Sequence, residues 1–320
     1  MESEFVRLSA NGPYVTRLGM GCWTAGGHGW GKVKDSESIG AIRHAFERGV
    51  TFFDTADVYG LGKSERILRQ ALGADLASVV IASKGGVRWD EFGKVWNDSS
   101  PEYLQYAVEA SLRRLDLERI PLYYLHNPDS RTPIPEAIGA LAMLRDQGKI
   151  AEIGVSNVSV SQLEEALTVA PIRAVQVQFS LLQQARGDEL ASVCRRNDIK
   201  LVSWGALADG LLTGKFNRWT TFGEDDHRSR LPEFQGTRFL EILRRVEDLQ
   251  KIAHERGVSV AQLALRWIMD KYSFACPLFG ARTAGQVQDN LGAVGWCLSG
   301  SEMLAIDNVF CSTAGVAEHG

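Results

Sequence analysis

The feature that most constrains this chain is a recurring unit: a short apolar run, a loop, then a stretch with helical spacing of apolar residues. The apolar runs are 18–21, 50–53, 79–82, 122–125, 150–155, 174–177, 199–202 and 274–278. Helical periodicity marks 36–48, 102–115, 135–147, 160–169, 188–197, 237–256, 259–270 and 283–292. Near-continuous apolar runs suit strands buried on both faces, and strands separated by helices pair in parallel. Eight of them predict an α/β fold, a (β/α)8 TIM barrel, as one domain over 1–320. Ahead of the first unit, Phe5-Val6-Arg7-Leu8 and Tyr14-Val15-Thr16-Arg17 flank Asn11-Gly12-Pro13 and read as a β-hairpin. One extra helix is expected after strand seven and another at 301–310.

The competing architecture is a doubly wound open sheet. Its glycine fingerprint after the first strand is missing: Gly26-Gly27-His28-Gly29-Trp30-Gly31 does not fit the G-x-G-x-x-G spacing. Lys215 to Gly236 is the longest irregular stretch. Its interleaved Phe216, Trp219 and Phe222 favour an ordered flap over a linker.

Composition narrows the function classes. A net charge of −4 argues against a nucleic-acid binder. No apolar run reaches the length of a membrane span, and the acidic start Met1-Glu2-Ser3-Glu4-Phe5 lacks a signal-peptide core. The five cysteines (22, 194, 276, 297 and 311) are odd in number and form no C-x-x-C pair, which fits a reduced cytoplasmic setting. The six histidines show no H-x-x-x-H or H-x-H spacing, so no metal site is expected. Gly62-Lys63-Ser64 imitates the end of a phosphate-binding loop, but Asp57 stands where that motif needs its first glycine. Cys22 has no local histidine and reads as a small buried hydrophobe.

In a barrel of this type, catalytic groups gather at the C-terminal ends of the strands. Asp54, followed by Tyr59, comes after strand two, Lys84 after strand three, His126 after strand four and Ser156-Asn157 after strand five. Singly, each has an ordinary structural explanation. Together they deliver an acid, a phenol, an amine and an imidazole to one end of one barrel.

These residues stand in motifs that resemble the aldo-keto reductases: the segment from Gly49 to Gly60, Ser83-Lys84, Leu125-His126, Gly154-Val155-Ser156-Asn157, Val175-Gln176-Val177-Gln178, Gly210 to Lys215 and Gly280-Ala281-Arg282-Thr283. The likeness runs to about residue 310 and is nearest to a bacterial branch that includes general-stress reductases. It implies reduction of aldehydes or ketones with NADPH, and a tetrad of Asp54, Tyr59, Lys84 and His126. The chemistry is consistent. A free tyrosine, with a pKa of about 10, gives up its proton reluctantly. An adjacent ammonium is expected to lower that value, which suits a general acid. His126 would donate a hydrogen bond to the substrate oxygen.

The resemblance also implies the cofactor contacts. Ser156, Asn157 and Gln176 would meet the nicotinamide carboxamide, and Trp204, where relatives carry tyrosine, would stack on its ring. Gly205, Leu207, Gly210 and Lys215 would follow the pyrophosphate. Gly280, Arg282, Gln286, Asp289 and Asn290 would take the adenosine end, with Arg282 at the ribose phosphate and Gln286 where many relatives carry arginine. Trp23, Trp30, Trp89 and Trp96 fall in loops after strands one and three and are expected to line the substrate mouth. The short tail after 310 suggests an open, permissive site. Two other functions fit the same fold: a nicotinamide-sensing binding subunit without turnover, and a ketoreductase dedicated to one sugar pathway.

Overall fold

The computed structural model describes residues 4–9, 12–27 and 29–311. Asn11 of the expected turn, His28 and the tail from 312 lie outside them. The chain opens with an antiparallel hairpin of β1 (Phe5–Arg7) and β2 (Tyr14–Thr16), Phe5 opposite Thr16. The barrel strands β3 (Gly19–Gly21), β4 (Phe52–Asp54) and β5 (Val80–Gly85) follow. After a second hairpin of β6 (Val87–Trp89) and β7 (Val95–Asn97) come β8 (Ile120–Leu125), β9 (Ile150–Ser156), β10 (Ile172–Gln178), β11 (Lys200–Trp204) and β12 (Ala275–Gly280). The eight strands close into a barrel in which every neighbouring pair is parallel, β12 returning to β3.

The strands are apolar along their length because each has two buried faces. On β8, Leu122 and Tyr124 join Phe52, Ala174 and Val202 in the barrel interior. Tyr123 and Leu125, one residue out of phase, join the larger core beneath the helices. Burying a side chain such as Phe52 contributes about 1.5–3 kcal/mol.

The first barrel helices are α1 (Trp23–Gly26), α2 (Asp35–Glu47), α3 (Lys63–Leu72), α4 (Pro101–Leu115), α5 (Ile134–Asp146), α6 (Val160–Val169) and α7 (Ala185–Arg196). The C-terminal part adds α8 (Gly236–Arg256), α9 (Val260–Lys271), α10 (Ala284–Leu291) and α11 (Gly300–Cys311). Besides the one-turn helix α1, two elements are additions to the sequence reading. One is α3, which starts after Gly62 with no side-chain cap to announce it. The other is the β6–β7 hairpin, whose three-residue strands show no alternation of burial. None of the helices among the described residues is long and apolar enough to cross a membrane.

The N-terminal hairpin closes the bottom of the barrel. Leu8 and Val15 enter the interior cluster. Arg17 donates to the Met269 carbonyl at 2.5 Å and the Tyr272 carbonyl at 3.2 Å, beside the start of β12. The opposite end, where the strands finish, is left for function.

Candidate active site

Asp54 closes β4, Lys84 is the penultimate residue of β5, and His126 follows β8. Parallel pairing of β4 with β5 and of β5 with β8 brings the three strand ends to one rim. Tyr59 reaches the same spot from the loop after β4. That loop is fixed by close backbone packing: Gly60, at φ +61°, lies so near Gly26 that a Cβ would stand 2.3 Å from the Gly26 carbonyl oxygen. Only glycine meets both conditions.

Lys84 is the centre of the cluster. Its ammonium, wholly buried, donates to Asp54 Oδ1 at 2.5 Å, to the Thr55 carbonyl at 2.7 Å and to the Tyr59 hydroxyl at 3.4 Å. Gln176 Nε2 donates to the other Asp54 oxygen at 2.7 Å. Burial disfavours the ammonium, yet Asp54 and Tyr59 hold it above the usual lysine value. The His126 and Tyr59 rings meet edge-on, with centroids 5.8 Å apart.

Two electrostatic details differ from expectation or extend it. Burial pushes the Tyr59 phenol above 10, and the opposing pull of Lys84 does not overcome it. The expected lowering is therefore corrected: desolvating a phenolate costs more here than one shared ammonium returns. Burial and then Lys84 depress His126 to about 3, so its imidazole is neutral at ordinary pH. A neutral imidazole carries one donor and one acceptor nitrogen, and His126 Nδ1 has no protein partner.

A cleft of about 380 Å³ opens above Tyr59. Trp23, Trp30, Asp54, Tyr59, Trp204, Gly205, Leu207, Gly210 and Lys215 contribute to its walls. Gly280, Arg282, Gln286, Asp289 and Asn290 complete the far end. Ser156, Asn157 and Gln176 are not among its lining residues: Ser156 and Gln176 are buried side by side on β9 and β10, Gln176 bonding Asp54, and Asn157 joins Trp204 of the wall. Asn157, at φ +57°, donates to Asn127 Oδ1 at 2.7 Å and accepts from Trp204 Nε1 at 3.2 Å. Asparagine tolerates that left-handed backbone better than most residues. Trp89 and Trp96 are not in the wall. They sit on the β6–β7 hairpin, which follows directly on β5 and Lys84.

Residues 17–310 match the Aldo/keto reductase family. The chain belongs to the aldo-keto reductases. It is 35% identical over 313 residues to aldo-keto reductase YhdN of Bacillus subtilis (strain 168), covering 97% of this chain and 94% of that one. It is 32% identical to probable aldo-keto reductase 1 of Glycine max, covering 94% and 87%. The solved glycerol dehydrogenase AKR11B4 of Gluconobacter oxydans superposes with a TM-score of 0.90 at 37% identity, covering 97% and 95%. Family membership supports an oxidoreductase that acts on carbonyl groups with a nicotinamide cofactor.

The cleft of this aldo-keto reductase fits such a cofactor on its own evidence. Lys215, Arg228 and Arg282 share one wall. Burial and then the neighbouring cations lower both Lys215 and Arg282 below their usual values. Three cations this close together, with Asp226 already bound to Arg228, suit a phosphate-bearing ligand. At the other end, Ser156 Oγ is buried without a protein partner, next to the strand ends that carry Gln176 and Asn157. Arg282 is no solvated surface group: it donates to the Trp30 carbonyl at 2.7 Å, and its guanidinium stands 5.5 Å from the Trp30 ring.

Several supporting residues were not singled out by sequence. Asp226 grips Arg228 through two oxygens, at 2.9 and 2.6 Å, and pairs through its backbone with Trp30. His227 packs 4.6 Å from Trp30 and 5.1 Å from Trp23, with Nδ1 2.6 Å from the Gly29 carbonyl. The flap is thus ordered and tied to the glycine-rich segment. Beneath the catalytic loop, Glu65 accepts from Ser83 Oγ at 2.6 Å and from Arg114 Nε at 2.5 Å. All of these partners are far apart in sequence or carry no motif, so only the fold brings them into view.

Proposed function

We propose that this chain is an NADPH-dependent reductase of aldehydes and ketones in which Tyr59 is the proton donor. The observation that carries this reading is the buried ammonium of Lys84, held between the Asp54 carboxylate and the Tyr59 hydroxyl at the floor of an aromatic cleft. A bound nicotinamide supplies the hydride, which no side chain can provide. Tyr59 gives its proton to the carbonyl oxygen, and Lys84 stabilises the phenolate that is left. Asp54 keeps Lys84 charged and oriented. His126, a neutral donor, orients the substrate oxygen. Trp23 and Trp30 favour apolar or aromatic carbonyls over charged ones, and one domain spanning 1–320 acts in the cytoplasm. Following NADPH absorbance against a panel of aldehydes and ketones tests the reading. Consumption with aromatic aldehydes supports it, and its absence across the panel contradicts it.

The neutral state of His126 has a visible consequence. Reduction should show no inflection near the usual histidine value of about 6.5, because a group depressed to about 3 is already deprotonated there. The pH profile of kcat, compared with that of His126→Gln, checks this. An inflection near neutrality that the variant abolishes would show a charged imidazole instead.

Cofactor choice is assigned to Arg282. The two nicotinamide cofactors differ by one ribose phosphate, and a guanidinium fork suits phosphate oxygens. Charge-assisted hydrogen bonds contribute roughly 1.5–3 kcal/mol. Arg282→Ala is therefore expected to weaken NADPH by about tenfold or more and leave NADH nearly unchanged. Quenching of tryptophan fluorescence reads both titrations. Equal weakening of the two cofactors, or an initial preference for NADH, overturns the assignment.

A further inference from the structure

Away from the cofactor cleft, α3 and α4 enclose a groove of about 730 Å³ on the outside of the barrel. Its wall carries four arginines: Arg66 and Arg69 from α3, Arg113 and Arg114 from α4. Gln70, Ala110, the exposed Tyr106 and one acid, Asp116, complete it. On a chain of net charge −4, four guanidinium groups in one concavity are a local reversal of sign.

The charges are only half answered. Arg69 pairs with Asp116, and Arg114 pairs with Glu65 buried behind it. Arg66 has a single long contact, 3.5 Å to the Leu61 carbonyl, and Arg113 meets no acid among the described residues. The two helices also bring like charges together. At Gly62, the point where a Cβ would stand lies 3.2 Å from Arg66 Nη1 and 2.8 Å from Arg114 Nε. A bare glycine leaves that point open, and the Arg66 and Arg114 side chains approach it from the two helices, Arg114 with its Nε on the Glu65 carboxylate. Arg114 is anchored by Glu65, whereas Arg66 has no acidic partner among the described residues and still lies near it, although like charges at close range repel.

We propose that this groove is a binding site for a small phosphate-bearing anion, taken chiefly by Arg66 and Arg113 with Arg114 beside them. The planar, bidentate donors of arginine match phosphate oxygens. The concave shape suits a small polyanion, and the flat face of Tyr106 at the edge can carry a ring attached to it. The site shares no residue with the cofactor cleft, so it stands independently of the proposed reductase activity.

Inorganic tripolyphosphate is the probe, titrated calorimetrically at low salt, where screening is weakest. The cofactor cleft also holds cations, so Arg282→Ala separates the two places. Binding is expected to survive Arg282→Ala and to fall at least tenfold in Arg66→Gln/Arg113→Gln, both exposed positions whose loss should leave the melting temperature and carbonyl reduction unchanged. Binding that disappears in Arg282→Ala and persists in the double variant would place the anion in the cofactor cleft and overturn the proposal. Failure of the intact protein to bind tripolyphosphate at all would overturn it equally.

Discussion

Tyr59→Phe is expected to bind cofactor as the unaltered enzyme does and to lose carbonyl reduction by roughly 10²–10⁴-fold, the usual contribution of a positioned acid. The substitution keeps the ring, so the edge-on contact with His126 and the packing against Trp23 survive. What it removes is the hydroxyl that faces Lys84 Nζ at 3.4 Å. Because burial holds that phenol above 10, the group is fully protonated at neutral pH in the folded enzyme. Reduction should therefore be level through neutrality and decline only as the pH rises past that raised value. Steady-state rates with fluorescence titration of cofactor check the prediction. Near-wild-type turnover in Tyr59→Phe would remove Tyr59 from the chemistry.

Lys84→Met has the second large effect. Methionine fills much of the same volume but leaves Asp54, which is 2% exposed, without its ion partner. Removing one member of a buried pair typically costs about 3–5 kcal/mol. Here the cost is softened, because burial already pushes the Asp54 carboxyl above its usual value and a protonated carboxyl needs no cation. The expected outcome is a folded protein with a lower melting temperature and turnover reduced by at least two orders of magnitude, in the range of acid catalysis. Circular dichroism melts and kcat, measured together, separate the two consequences. A variant that does not fold would make Lys84 chiefly the structural partner of Asp54. In that case Lys84→Met with Asp54→Asn, which removes the orphaned charge, should restore folding, and its turnover then decides the catalytic role.

Much of this architecture is legible in the sequence, for reasons that are physical. The barrel strands declare themselves because they are buried on both faces, which leaves apolar runs such as Val79 to Ala82. Helices α6 and α9 follow the apolar spacing of 160–169 and 259–270 closely, and in the structure the capping boxes Ser159 with Gln162 and Ser259 with Gln262 fix their starts. Helix α3 lacks such a signal, and the β6–β7 strands are too short and too exposed to alternate. That Asp54, Lys84 and His126 share one rim was legible because strand ends in a barrel converge, and the place of Tyr59 beside them came from the family resemblance. The direction of the Tyr59 shift was not, since it depends on how much solvent the fold removes. Nor were the ties of Gln176 to Asp54, of Asp226 to Arg228 and of Glu65 to Arg114, which depend on side-chain packing that no spacing rule encodes.

What separates a reductase from a binding subunit is whether the cluster around Lys84 turns over a carbonyl or only holds a nicotinamide. The most direct measurement is a single turnover: enzyme loaded with NADPH is mixed rapidly with an excess of an aromatic aldehyde, and the reduced-nicotinamide absorbance is followed. The absorbance is expected to decay in one phase, with a single equivalent of alcohol formed, and the decay to slow by about two to four orders of magnitude in Tyr59→Phe. Cofactor that binds tightly yet stays reduced against every carbonyl offered would contradict it, and would identify the chain as a nicotinamide-sensing subunit on a reductase fold.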